Sequence, residues 1–202
     1  VRPGLPHRAD AWLRAVEETV ALADEAGDPH LQVAVRAAGA YAYLCTADFD
    51  RYEEMLDEVL ELARGDRTVG AGVILGSPTA WAVMGKGMVR RERGQFEEAE
   101  ELFERALALT IEDDDPETAS WVRSNQAGLR AIRGDVEGAL ALAQRNCELT
   151  ERLGDVFSRS LALAKCWRGP AESPNQASLV TLSSHGARGV VCATSAPGKI
   201  AS

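Results

Sequence analysis

Asp113-Asp114-Asp115 is the densest set of acidic side chains in the sequence, and three consecutive carboxylates raise the question of a cation site. A hard cation needs six to eight oxygens drawn from a shaped loop, and no such spacing surrounds these three; they read as a solvated loop that leads into a helix cap. The four cysteines, Cys45, Cys147, Cys166 and Cys192, form no CxxC or CxH pair. His7, His30 and His185 stand at no ligand spacing from them, so metal: none is the expectation. Scattered thiols suit small buried packing groups in a reducing compartment, which places the chain in the cytoplasm. Gly70-Ala71-Gly72 and Gly85-Lys86-Gly87 are too short to cradle phosphates, and GxxxxGK[ST], HExxH and GxSxG are all missing from the sequence. Catalytic and cofactor-binding residues are therefore expected to be none, and the segment is read as a non-enzyme.

Charge narrows the partners. The net charge is -9 and the sequence pI about 4.9, so the surface repels nucleic-acid backbones and anionic lipid. Arg90-Arg91-Glu92-Arg93 is a local basic patch suited to a helix end, and no basic stripe extends it. Glu97, Glu98, Glu100, Glu101 and Glu104 read as a solvated helix face, with Arg105 four residues after Glu101. No apolar run reaches the roughly 18–20 residues of a membrane span, and no leader follows Val1-Arg2-Pro3-Gly4. Neither nucleic acid nor membrane is expected as a partner.

The elements that hold these residues repeat. Shifted by 40 residues, segment 81–110 falls on 121–150 with ten identities in thirty positions, among them Trp81/Trp121, Gly94/Gly134, Ala99/Ala139 and Leu102/Leu142. Chance would give about two at roughly 7% per residue. A period of this length marks stacked helical hairpins. Pro78 to about Arg93 and Phe96 to about Leu109 form one pair, broken at Gly94; Pro116 to about Arg133 and Val136 to about Leu153 form the next. An earlier unit runs over 29–63, with Leu31–Cys45 and then Phe49–Leu62. Aligning Phe49 with Phe96 takes an offset of 47, so the linker Arg64–Ser77 is longer and is expected to add a helical turn. Asp28-Pro29, Ser77-Pro78 and Asp115-Pro116 each put a capping side chain before a proline at the first helical position. Gly27 and Gly154 are helix stops. Ala9–Ala26, with Trp12, Val16, Val20 and Ala23, reads as the second helix of a still earlier pair, and Val156–Ala164 as the first of a later one.

Gly94-Gln-Phe-Glu-Glu-Ala-Glu-Glu-Leu-Phe-Glu-Arg-Ala-Leu107 resembles the second half of a tetratricopeptide repeat, and Trp81, Met84, Gly85 and Met88 match the spacing of its first helix. Two extra residues before Gly94, together with Ala143 and Asn146 at the usual aromatic and small positions, point to a long-repeat variant. The stretches ALADEAGDPHL, LGSPTAW and RGDVEGALALAQRNCELTERLGDVFSRSLALA resemble the repeat region of bacterial nucleotidyl cyclase/ATPase signalling proteins and of maltose-regulator-type activators. The resemblance implies an all-α, right-handed superhelical stack of antiparallel helix pairs, a tetratricopeptide-like solenoid. It further implies a regulatory segment of a larger protein, with a free-standing adaptor or an activator's repeat region as alternatives. A protein or peptide partner along the concave face is then expected, and self-association is open. Trp81 and Trp121 read either as core packing or as groove anchors.

Three regions follow from this. Residues 1–8 are expected to be a disordered N-terminus, 9–164 the repeats (units about 29–63, 78–110 and 116–153, with partial units at both ends), and 165–202 a low-complexity tail. The tail carries +3 against -12 for residues 1–164 and breaks the helical period. It reads as a shifted reading frame or as a genuine flexible tail.

Overall fold

Every apolar stripe in this chain must find a neighbouring helix, and the computed structural model shows which one. It describes residues 5–154. Seven α-helices run in chain order: α1 (Leu5–Ala26), α2 (Pro29–Cys45), α3 (Phe49–Ala63), α4 (Pro78–Glu92), α5 (Phe96–Glu112), α6 (Pro116–Ile132) and α7 (Val136–Leu153). The chain is an all-α, tetratricopeptide-like solenoid. The tightest packing lies within the hairpins α2/α3, α4/α5 and α6/α7, and each second helix also packs on the next first helix. The first helix α4 touches both α2 and α6 directly. Segments 1–4 and 155–202 lie outside the described residues, and with them the expected helix over Val156–Ala164 and the low-complexity tail.

The caps follow from the residue types. Asp28, Ser77 and Asp115 accept hydrogen bonds from the amides of His30, Ala80 and Thr118, each ahead of a proline that has no N–H to lose. Gly27 and Gly154 take φ values of +68° and +69°, the left-handed conformation that ends α1 and α7.

Two expectations are corrected. The first helix begins at Leu5, not Ala9. Its packing stripe is Leu13, Val16, Val20 and Ala23, whereas Trp12 faces out at 44% exposure. The linker 64–77 forms no helical turn. Gly65, Gly70 and Gly72 all adopt positive φ, which a right-handed helix cannot use, and the segment closes instead through successive tight turns. Asp66 accepts from both the amide and the hydroxyl of Thr68, while the Gly70 amide donates to His30 Nδ1 at 3.2 Å. Arg67 then ties the linker to Glu112 and Asp113 at the end of α5.

Side-chain size is shared across each hairpin. A Cβ on Gly87 of α4 would lie 2.7 Å from the Phe103 ring of α5, so the pair needs one large and one absent side chain. In the next hairpin the same places hold Ala127 and Ala143, both buried, which divides the volume evenly. Asn146 stands where α5 has Ala106, and its amide donates to the Ser120 carbonyl (2.8 Å) and Ser124 Oγ (3.0 Å). Ser124 replaces Met84, so the polar residues on α6 and α7 occur as partners, as burial requires.

Ion pairs join apolar packing between hairpins. Arg93, which caps α4, reaches Asp50 and Glu53 near the start of α3, both at 2.7 Å. Arg133, which caps α6, reaches Glu97 and Glu100 near the start of α5 at 3.4 and 2.6 Å. Arg90 adds a second bond to Glu53 at 2.7 Å. Arg36 on α2 is buried between Asp24 of α1 and Glu58 of α3, at 2.8 Å from each. Its register equivalent Arg123 makes no ion pair among the described residues, because the place of Glu58 is taken by Arg145.

Gly87→Ala is expected to destabilise the chain by up to about 2 kcal/mol: overpacking against a rigid ring costs ~1–3, less the ~1 that alanine gains over glycine in a helix. Chemical denaturation checks this, and a variant as stable as the parent would show that the Phe103 ring is free to move. The ion pairs also set an acid limit. The Arg36 hydrogen bond holds the Asp24 carboxyl below the ordinary aspartate value. Burial alone would raise Glu53, but Arg90 and Arg93 outweigh it and hold that carboxyl below the ordinary glutamate value. Both folded-state values are depressed, so their stabilisation is present above the unfolded carboxylate range of about pH 4 and is lost as pH falls through the folded values. Urea midpoints should drop below about pH 4, and Glu53→Gln should flatten that drop while lowering the midpoint at neutral pH.

Candidate functional site

On α4, Trp81, Gly85, Met88 and Glu92 lie at i, i+4, i+7 and i+11, one stripe of the helix surface. On α6, Glu117, Trp121, Asn125, Gly128 and Ile132 repeat that spacing. Ala38, Tyr41 and Cys45 do the same on α2. Since the second helices pack from the other side, these stripes form the face that the first helices leave uncovered.

Three rings dominate it. Trp81 and Trp121 meet edge to face, with centroids 4.9 Å apart and planes at 73°. Tyr41 stands against Trp81 at 6.3 Å, tilted by 54°. Tilted and edge-on pairs place a positive ring edge against a negative face, which fixes the rings without stacking them flat. Tyr41 is 42% exposed, and both tryptophans are half-buried. The packing reading of Trp81 and Trp121 is met in part. Trp81 packs against both clusters of the core, Trp121 packs against the second, and their rings remain partly open to the surface. The Trp81 indole N–H is buried and has no acceptor.

The floor beneath the row is polar. A Cβ on Gly85 would come within 2.5 Å of the Tyr52 hydroxyl, so the missing side chain leaves that hydroxyl directly under the α4 stripe. Tyr52 is fully buried, its hydroxyl has no partner, and desolvation pushes its pKa well above the ordinary tyrosine value. Beside it, burial raises the Cys45 thiol and the Tyr41 hydroxyl. Such groups stay neutral at physiological pH, so they offer hydrogen bonds and no nucleophile. Arg91 bridges α4 and α6, donating to Asn125 Oδ1 at 2.9 Å and pairing with Glu92 at 2.8 Å. Asn125 in turn donates to the Trp121 carbonyl at 3.0 Å. The residues can hold a ligand by aromatic contact and neutral donors.

At the start of α6 the face ends in a hollow of about 320 Å³ lined by Gly76, Asp113, Asp114, Asp115, Glu117 and Leu153. Asp113 is engaged, accepting from Ser77 Oγ at 2.6 Å and pairing with Arg67 Nε at 2.9 Å. Asp115 spends one oxygen on its cap. Among the described residues, no three His, Cys, Asp or Glu side chains converge to hold a metal ion. Tyr41 joins the row although the sequence marks it only as one position of a helix stripe.

Comparison with known proteins agrees with the geometry. Residues 84–117 match the family model for the tetratricopeptide repeat. That repeat generally mediates protein–protein contacts and is typically a non-catalytic scaffold. No curated protein matches the sequence. Among solved structures, BtubC (BKLC) from P. vanneervenii is similar at 15% identity and a TM-score of 0.48, over 85% of this chain and 72% of that one. No helix among the described residues is long and apolar enough to cross a membrane.

Proposed function

We propose that this chain is a regulatory scaffold that holds a protein or peptide partner on the concave, aromatic face of its first helices. The observation that carries this reading is the row Tyr41–Trp81–Trp121, three partly open rings fixed against one another across three successive hairpins. Rigid aromatics of this kind supply large contact area at little entropic cost, which is why they anchor interfaces. The neutral donors beneath the row suit the carbonyl groups of an extended segment, whose backbone has no internal partners. The acidic surface argues against nucleic acid and anionic lipid as partners.

The finer reading rests on the sequence resemblance. This segment is the sensory or coupling region of a larger cytoplasmic cyclase–ATPase signalling protein, in which partner binding biases an output domain. No residue of the segment carries out chemistry in this scheme. A photo-crosslinking side chain at Met88, in the aromatic face, should trap a defined partner in the host cell, and one at Glu104, exposed on α5, should not. Equal trapping from both positions, or reproducible nucleotide turnover by the purified chain, would overturn the proposal.

A further inference from the structure

The hollow at the start of α6 differs in charge from the neutral floor beside it, and its geometry restricts what enters. Asp115 is only 7% exposed. Its Oδ1 accepts from the Thr118 amide at 3.0 Å, while Oδ2 is buried and accepts nothing among the described residues. A Cβ on Gly76 would sit 2.5 Å from that free oxygen, so glycine there leaves the carboxylate side of the hollow clear. Asp114, held at φ +51°, and Glu117 add two exposed carboxylates at the rim. The guanidinium of Arg67 is tied to this edge and engages Asp113 and Glu112. A buried carboxylate oxygen without a donor is costly, and a cation at that place relieves the cost.

We infer that the hollow takes the ammonium or guanidinium group of a lysine or arginine side chain, so that the segment bound on the aromatic face is a basic one; this rests on the reading of that face given above. The acids do not converge closely enough for a bare metal ion, and a wide organic cation with several donors suits dispersed oxygens better. The apolar stem of such a side chain would lie along Leu153, which lines the hollow, as long cationic residues do against apolar surface. Glu117 precedes Trp121 by one helical turn, so a segment anchored in the hollow continues onto the indole faces, where further cations are also favoured. The chain's net charge of -9 draws a basic partner to this face from a distance.

The test uses the full chain and three labelled short peptides that alternate alanine with lysine, with serine or with glutamate, followed by fluorescence anisotropy. The lysine peptide should bind most tightly, and more weakly as salt rises. Glu117→Gln and Asp114→Asn should each weaken it by about threefold or more, whereas Glu104→Gln on α5 should leave it unchanged. Trp121→Leu should weaken all three peptides. If the serine peptide binds as well as the lysine one and both depend on Trp121, the aromatic face stands as the docking site and the inference about charge falls. Equal weakening by Glu104→Gln would show diffuse attraction and also overturn it. A rise in affinity when Lys165 and Arg168 are changed to glutamine would assign the hollow to this chain's own tail. Failure of every peptide to bind would remove both proposals.

Discussion

A helical hairpin cannot bury two apolar stripes on itself, and the architecture follows from how closely its helices approach each other. The limiting contact is between Gly87 and Phe103, where one helix gives up a side chain so that a ring can lie against its backbone. Gly85 makes the same concession to Tyr52 and Leu56 of the preceding hairpin. Two glycines on one helix, two residues apart, thus serve opposite neighbours: one sets the spacing within the α4/α5 pair, the other the spacing to α3. Helix α4 tolerates the propensity lost at these positions because its stability comes from packing on both sides, which is the general condition of a helix inside a stack.

Close packing fixes distance, and ion pairs bridge the hairpins at matching places. Arg93 and Arg133 each span two acids three residues apart on the preceding second helix, the same contact at two successive junctions. Partly exposed pairs of this kind stabilise little individually. Their value lies in tying the end of each first helix to the start of the preceding second helix. Arg36 performs a buried version of the same task between α1 and α3.

Much of this was legible beforehand, for physical reasons that differ by element. The caps at Asp28, Ser77 and Asp115 were readable because an oxygen-bearing side chain before proline has few other uses. The hairpins were readable because their stripes recur with a fixed period. The linker was not: Val69, Val73, Ile74 and Leu75 give an apolar count that suits a helix, but the glycines between them hold positive φ, and periodicity says nothing about φ. The outward face of Trp12 was missed because Leu13 sits one residue away and serves the stripe equally well. The hollow beside Asp115 was hidden too, because it depends on Gly76 approaching a carboxylate 39 residues later.

The linker also explains how the aromatic row survives a break in the repeat. Counting back from the hairpin turns, the position equivalent to Trp81 and Trp121 on α2 is Ala34, not Tyr41. Ala34 is fully buried, and a Cβ on Gly70 of the linker would lie 3.2 Å from its backbone nitrogen and 2.8 Å from the neighbouring Val33 side chain. A tryptophan at Ala34 would have no room beneath that turn. The third ring comes instead from Tyr41, seven residues further along, which is two helical turns or about 10 Å of rise. Register is thus given up at this junction while ring contact is kept, and Tyr41 still reaches Trp81 at 6.3 Å. A row whose only role was to fill the core would have no need to recover a ring that is 42% exposed, so the persistence of the contact favours a surface that is used.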